Sequence, residues 1–97
     1  MQVSIERSSR AGKKWMATMN EKTVHFGASG YEDFTTSKDE KRKTSYLARH
    51  KTNEDWTLGG VHTAGFWSRW LLWNQSSLAA SIADVNRRFS SLSVSLR

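Results

Sequence analysis

The sequence predicts a small α+β domain in which a β-hairpin packs on about three short helices. Apolar and polar residues alternate on both sides of a polar turn at 14–27, a pattern typical of a hairpin. An aromatic segment at 64–74 holds three of the five tryptophans and is long enough for a short helix. At 78–89, apolar residues recur every three or four positions, as on one face of a helix. A strand pair and helices in one short chain define the α+β class.

Both ends of the chain also alternate apolar and polar residues. Val3 and Ile5 do so near the N-terminus, and Leu92, Val94 and Leu96 do so near the C-terminus. Two interpretations are open: the ends pair with each other or fray, or they add as strands to a neighbouring subunit. We therefore divide the chain into an N-terminal arm at 1–12, a compact domain at 13–89 and an extended C-terminal arm at 90–97.

A helix is predicted over 38–50, because Ser37 precedes Glu40 by the three residues of a capping box. This helix is the main basic element of the chain. Its charged face is either solvated or meets phosphates or acidic residues. The candidate polyanion-binding residues are Lys38, Lys41, Arg42, Lys43, Arg49 and Lys51.

The aromatic segment forms a predicted helix over 64–74, with Thr63 as its N-cap. Its large apolar side chains occupy two adjacent stripes of the helical wheel, and one stripe is enough to face a small core. The second stripe either packs under the hairpin or contacts another protein. Aromatic residues dominate the binding energy of many interfaces. The candidate protein-interface residues are Trp67, Leu71, Trp70 and Trp73.

The final helix, at 78–89, has the clearest core face in the sequence. Leu78, Ile82, Val85 and Phe89 are spaced by four, three and four residues. These spacings place all four side chains on one side of a helix. We expect this face to pack on the rest of the domain.

Composition narrows the possible functions. The formal net charge of +6 favours a polyanion or an acidic protein surface as partner. The chain has no cysteine, and its three histidines lie on three different predicted elements. No triad order, nucleotide-binding glycine motif or metal-ligand spacing is found, so we expect no catalysis, metal or cofactor. No segment approaches the roughly 20 apolar residues of a membrane span.

Four segments resemble a family of small basic proteins of unknown function from nucleocytoplasmic large DNA viruses, the giant and algal viruses. They are HFGA at 25–28, YEDFT at 31–35, YLARH at 46–50 and GFWSRWLLWN at 65–74. The resemblance spans about four fifths of the chain, from 13 to 89. It implies a viral origin and no particular reaction.

From this resemblance we expect a non-enzymatic minor capsid or virion component, present in many copies. It would bind neighbouring capsid proteins through the aromatic helix, the basic surface and the arms. The alternative is a nucleic-acid-binding protein that contacts viral DNA phosphates without sequence specificity. The expected location is the virion, and the host cytoplasm or nucleus during assembly.

Overall fold

A computed structural model describes residues 1–97 and confirms the α+β class. A four-stranded mixed sheet packs on short helices. The elements in order are β1 (Gln2–Arg7), β2 (Lys13–Met19), β3 (Lys22–Ala28), α1 (Phe34–Ser37), α2 (Glu40–His50), a 3₁₀ turn (Leu58–Gly60), α3 (Ala64–Trp67), a π-helical segment (Ser68–Leu72), α4 (Leu78–Arg88) and β4 (Ser93–Leu96).

The sheet has the order β3-β2-β1-β4. Strands β2 and β3 form the predicted hairpin, in which Trp15 pairs with Phe26 and Ala17 with Val24. The two-residue connection between the strands begins at Asn20, whose φ is +52°. A positive φ at this position suits the twist of a hairpin, and asparagine adopts it more readily than most residues.

The ends of the chain are not extended arms, and the expected compact domain at 13–89 leaves out two strands of the sheet. Strand β1 is an inner strand, antiparallel to β2 on one side and parallel to β4 on the other. Val3 pairs with both Met19 and Val94, and its side chain is buried. The alternating pattern therefore indicated strands correctly. Of the two interpretations, the structure has the one in which the ends pair with each other.

One face of the sheet carries the main apolar core, which it shares with α3, the π-helical segment and α4. Ile82 and Val85 of the predicted stripe are buried, and Leu78 and Phe89 pack against the core as partly buried residues. The core consists of fifteen buried residues: Val3, Ile5, Ala17, Met19, Phe26, Val61, Phe66, Trp67, Trp70, Leu71, Leu72, Ile82, Val85, Leu92 and Val94.

Most of the aromatic segment is core, so the predicted protein interface does not hold for Trp67, Leu71 and Trp70, whereas Trp73 is only half-buried. Trp67 and Leu71 are fully buried within the single chain, and Trp70 is 8% exposed. Thr63 is the N-cap as predicted, but after α3 the Trp73 amide donates to the Ser68 carbonyl in a π-type bond of 3.0 Å. Large side chains point in almost every direction, and a helix that is apolar all round is buried.

The basic helix α2 begins two residues later than predicted. Its N-cap is Asp39, which accepts hydrogen bonds from the amides of Lys41 and Arg42. Ser37 instead ends the short helix α1. A capping box does occur nearby, but it joins Asp33 and Thr36 at the start of α1. The predicted box of Ser37 and Glu40 therefore does not begin α2.

Candidate nucleic-acid interface

A cleft of about 720 Å³ lies between helix α2 and the hairpin. One wall is the face of α2 that carries Lys41, Ser45 and Arg49, which recur every four residues and so lie above one another. The opposite wall includes Lys13 at the start of β2 and Ala28 at the end of β3. These two residues are paired across the hairpin, which places both at the same end of the sheet.

Five cationic side chains line this cleft: Lys13, Lys14, Lys41, Arg42 and Arg49. Two of them are neutralised within the chain. Lys14 Nζ lies 2.6 Å from a carboxylate oxygen of the buried Asp33, and Arg42 pairs with Glu32 at 3.6 Å. The other three are exposed and have no carboxylate oxygen within 4.0 Å. The cleft therefore holds three positive charges without an internal partner.

Helix α2 is fixed beside the cleft by an aromatic stack. The Tyr46 ring lies 4.4 Å from the Trp73 ring with 6° between the planes, and 4.1 Å from the His50 ring on α2. His50 Nδ1 is in turn 2.9 Å from Glu54 Oε2. Burial, and then the negative charge of Glu54, raise the pKa of Tyr46 to about 12. The phenol thus stays protonated at neutral pH, and the stack carries no buried phenolate.

Three of the six predicted polyanion-binding residues lie outside the cleft. Lys43 is two positions from Lys41, about 200° around the helix, and donates to the Asn74 carbonyl at 2.6 Å. Lys38 donates to the carbonyls of Ser76 at 2.7 Å and Thr35 at 3.0 Å. Lys51 is exposed beyond the end of α2 and does not line the cleft. Lys41, Arg42 and Arg49 are brought together.

Sequence reasoning missed the residues that the hairpin contributes. Lys13 and Lys14 stand next to each other at the start of β2, and Tyr31 follows the end of β3 at the rim of the cleft. The signals were present as a pair of adjacent lysines and an aromatic residue in a polar connector. Nothing in the spacing, however, linked them to α2.

A second charged cluster lies in the second half of α4. The Asp84 carboxylate is 4% exposed and accepts hydrogen bonds from Asn74 at 2.8 Å, from Arg88 at 3.3 Å and from Arg87. Burial opposes its ionisation, but the hydrogen bonds from Asn74 and the arginines outweigh it and lower the pKa of Asp84. Asp84 is therefore an ionised structural carboxylate that joins α4 to the end of the aromatic segment.

Arg69 is held between two tryptophans. Its guanidinium carbon lies 4.2 Å from the centre of the Trp70 ring and 5.5 Å from that of Trp56. Burial, and then repulsion from Arg88, lower the pKa of Arg69. The side chain donates to the Trp73 carbonyl at 2.7 Å, while its Nε has no partner. These contacts brace the aromatic segment and leave Arg69 poorly placed for an external ligand.

The histidines lie in separate surroundings. His25 Nδ1 is 2.7 Å from the Ser8 hydroxyl, but no carboxylate hydrogen-bonds to His25, so a triad is not formed. His50 belongs to the aromatic stack, and His62 is exposed. No group of three or more His, Asp or Glu side chains is placed to hold a metal ion.

Comparison with known proteins gives one match. A model described as "Family of unknown function (DUF5754)" matches residues 3–50, just under half of the chain. The similar region runs from β1 through α2 and so includes both walls of the cleft, but it stops before the aromatic segment. No curated protein and no solved structure matches the chain. None of its helices has the length and apolarity needed to cross a membrane.

Proposed function

We propose that the protein is non-enzymatic and binds nucleic acid through phosphate contacts in the cleft, without reading base sequence. The observation that carries this proposal is the convergence of Lys13, Lys41 and Arg49, three exposed cations without internal partners, on one concave surface. The lining also contains three acidic residues, Glu32, Asp33 and Glu54, so five cations minus three carboxylates leave the cleft with a formal charge of +2. A concave surface with an excess of positive charge attracts anionic ligands. Phosphate oxygens are the partners that lysine and arginine most often find in nucleic acids.

The geometry suits a chain of phosphates better than one small anion. Lys41 and Arg49 are separated by eight residues of helix, or about 12 Å along its axis. Their charges are therefore spread along the cleft instead of being focused on one point. No recognised base-reading element lies beside them, so affinity should depend on charge and salt more than on sequence.

Two matched double variants test this proposal. Lys41→Gln with Arg49→Gln removes two cleft cations, whereas Lys22→Gln with Lys51→Gln removes two exposed lysines outside it. Both lower the formal net charge of +6 by two. Binding of two oligonucleotides with unrelated sequences would be followed by fluorescence anisotropy between 50 and 200 mM salt.

We expect the cleft variant to bind both sequences more weakly. The slope of log affinity against log salt should become shallower by about 1.4–1.8, because each lost phosphate contact contributes about 0.7–0.9. The control variant should keep the wild-type slope. Equal losses in the two variants would mean that net charge, and not the cleft, governs binding. Strong preference for one sequence at high salt would contradict binding without sequence reading.

The viral resemblance indicates which nucleic acid is involved. If the chain belongs among proteins of nucleocytoplasmic large DNA viruses, viral DNA is the partner, and the protein acts in the virion or in the host cytoplasm or nucleus. Mass spectrometry of purified virions tests this step. Detection of the protein in particles would support a role in the virion, and its absence from them would restrict the role to infected cells.

A minor capsid component is the second candidate function. The outer edge of β3 favours it, because an exposed strand can pair with a neighbouring subunit. The outer edge of β4 is partly occupied, since the Asn86 side chain hydrogen-bonds to both the amide and the carbonyl of Val94. The aromatic segment and the chain ends, expected earlier as anchor and tethers, are used inside the domain. Capsid proteins would therefore have to bind the β3 edge or the basic surface.

A further inference from the structure

Tyr31 is the one exposed aromatic residue of the protein. The other ten aromatic side chains are buried or half-buried, whereas Tyr31 is 74% exposed. Its ring takes part in no aromatic pair and lies near no cation of the chain, although such contacts are frequent elsewhere in the molecule. The ring is therefore free to contact a ligand.

The backbone around Tyr31 is held on both sides. Its amide donates to the Ala28 carbonyl at 3.3 Å in a tight turn, in which Gly30 has a φ of +84°. Directly after it, Glu32 pairs with Arg42, and the buried Asp33 pairs with Lys14. The turn and these ion pairs keep Tyr31 at the rim of the cleft. A tyrosine has only two rotatable side-chain bonds, so ordering the ring on binding costs little entropy.

We infer that the cleft takes a single strand, with a base stacked on Tyr31 while Lys13, Lys41 and Arg49 contact its phosphates. This inference rests on the proposed function and names its substrate class. In a duplex the faces of the bases are covered by their neighbours, and a protein reaches only base edges and the backbone. The bases of a single strand can turn outward and stack on aromatic rings.

Stacking of this kind tolerates any sequence, because every base has a flat face. An aromatic ring beside a row of cations is also the usual arrangement of proteins that bind single strands without sequence preference. The lone exposed tyrosine and the unpaired cations are thus explained by one ligand. A duplex would contact the cations through its phosphates but would make no stacking contact with the Tyr31 ring.

The test compares Tyr31→Ala and Tyr31→Phe with the wild-type protein. Three probes are used at the same salt: a homopolymeric DNA strand, the RNA strand of the same length and a DNA duplex of that length. We expect the wild type to bind single strands more tightly than the duplex. Tyr31→Ala should weaken single-strand binding by about 5- to 160-fold, with an unchanged salt slope.

The phenylalanine variant keeps the flat ring and should retain most of the affinity, and duplex binding should be unaffected by either change. Because Tyr31 is exposed, both variants should melt like the wild type. Equal weakening of single strands and duplex, or no effect of Tyr31→Ala, would overturn the stacking inference while leaving phosphate binding intact. Failure of all three probes to bind the wild type would overturn the proposed function itself. The ratio between the DNA and RNA arms identifies the natural strand.

Discussion

Replacing Trp67 by alanine tests whether the aromatic segment is a core or an interface. The side chain is fully buried, its ring packs against Phe66 and Phe26, and its Nε1 donates to the Val61 carbonyl at 2.7 Å. A buried Trp→Ala change costs about 3–5 kcal/mol in lost burial and cavity formation. The Val61 carbonyl, left without its hydrogen-bond donor, adds about 1–3 kcal/mol to this loss of stability. The sum of about 4–8 kcal/mol approaches the roughly 5–15 kcal/mol that stabilises a small domain.

Urea unfolding of the purified protein measures this loss. We expect Trp67→Ala to be unfolded or to unfold at a much lower urea concentration. Trp67→Phe keeps a large ring but loses the hydrogen bond, so its urea midpoint should lie between those of the wild type and Trp67→Ala. Leu58→Ala removes an exposed side chain and should change the free energy of unfolding by less than about 0.5 kcal/mol. A wild-type midpoint for Trp67→Ala would refute the burial and return Trp67 to the candidates for an interface.

Two further changes test the connector and the buried carboxylate. In Gly60→Ala the new Cβ would lie 1.9 Å from the Asp55 carbonyl oxygen, so the turn must shift. Overpacking costs about 1–3 kcal/mol of stability, so we expect the melting temperature, followed by circular dichroism, to fall by at least about 4 °C. An unchanged melting temperature would contradict this contact. Because its pKa is lowered, ionised Asp84 stabilises the fold above its ordinary pKa of 3.8, and this stabilisation is lost as the pH falls through the lower folded-state value. Asp84→Asn should therefore be less stable at neutral pH and lose less stability on acidification, whereas parallel acid profiles would show that Asp84 does not carry this effect.

The hairpin and the last helix could be predicted because their patterns are local. Burial of one strand face leaves a period of two, and burial of one helix face leaves spacings of three and four. The same pattern at Val3 and Ile5 correctly predicts a strand, but it leaves open whether the partner is the other end of the chain or a neighbouring subunit, and it does not indicate β2. Strand β1 pairs with residues about ninety positions away, and a periodicity shows that a face is covered without showing what covers it.

The aromatic segment shows a second limit of sequence patterns. Two apolar stripes on one helix can mean either a core on both sides or a core and an interface. What decides is the area of the neighbouring sheet, and β1 and β4 enlarge that sheet beyond the hairpin. A hairpin alone is too small to cover both stripes, whereas the four-stranded sheet buries Trp67 and Leu71 completely. The choice between the two interpretations of the second stripe therefore depends on the strands at the chain ends.

For the candidate site, the charged residues could be read from the sequence, but their partners could not. Lys41 and Arg49 lie on the same face of one helix, so the sequence alone predicts that they are close to each other. Lys43 has the same charge, but its ammonium binds the carbonyl of Asn74, a partner 31 positions further along the chain. Lys13 and Tyr31 meet α2 only through the packing of the domain. A lysine in a basic run is therefore not by itself a phosphate contact.

Helix α2 carries most of the cleft cations, yet none of its residues belongs to the main apolar core. It is attached by the stacking of Tyr46 on Trp73 and by the Lys43 hydrogen bond to Asn74. Parts of a protein held by few buried contacts open at a lower free-energy cost than its core. The position of α2, and with it the width of the cleft, thus depends on contacts that do not involve the outward-facing cations Lys41 and Arg49. Binding and folding are consequently separable, because the outward side chains of α2 can be changed without disturbing the core.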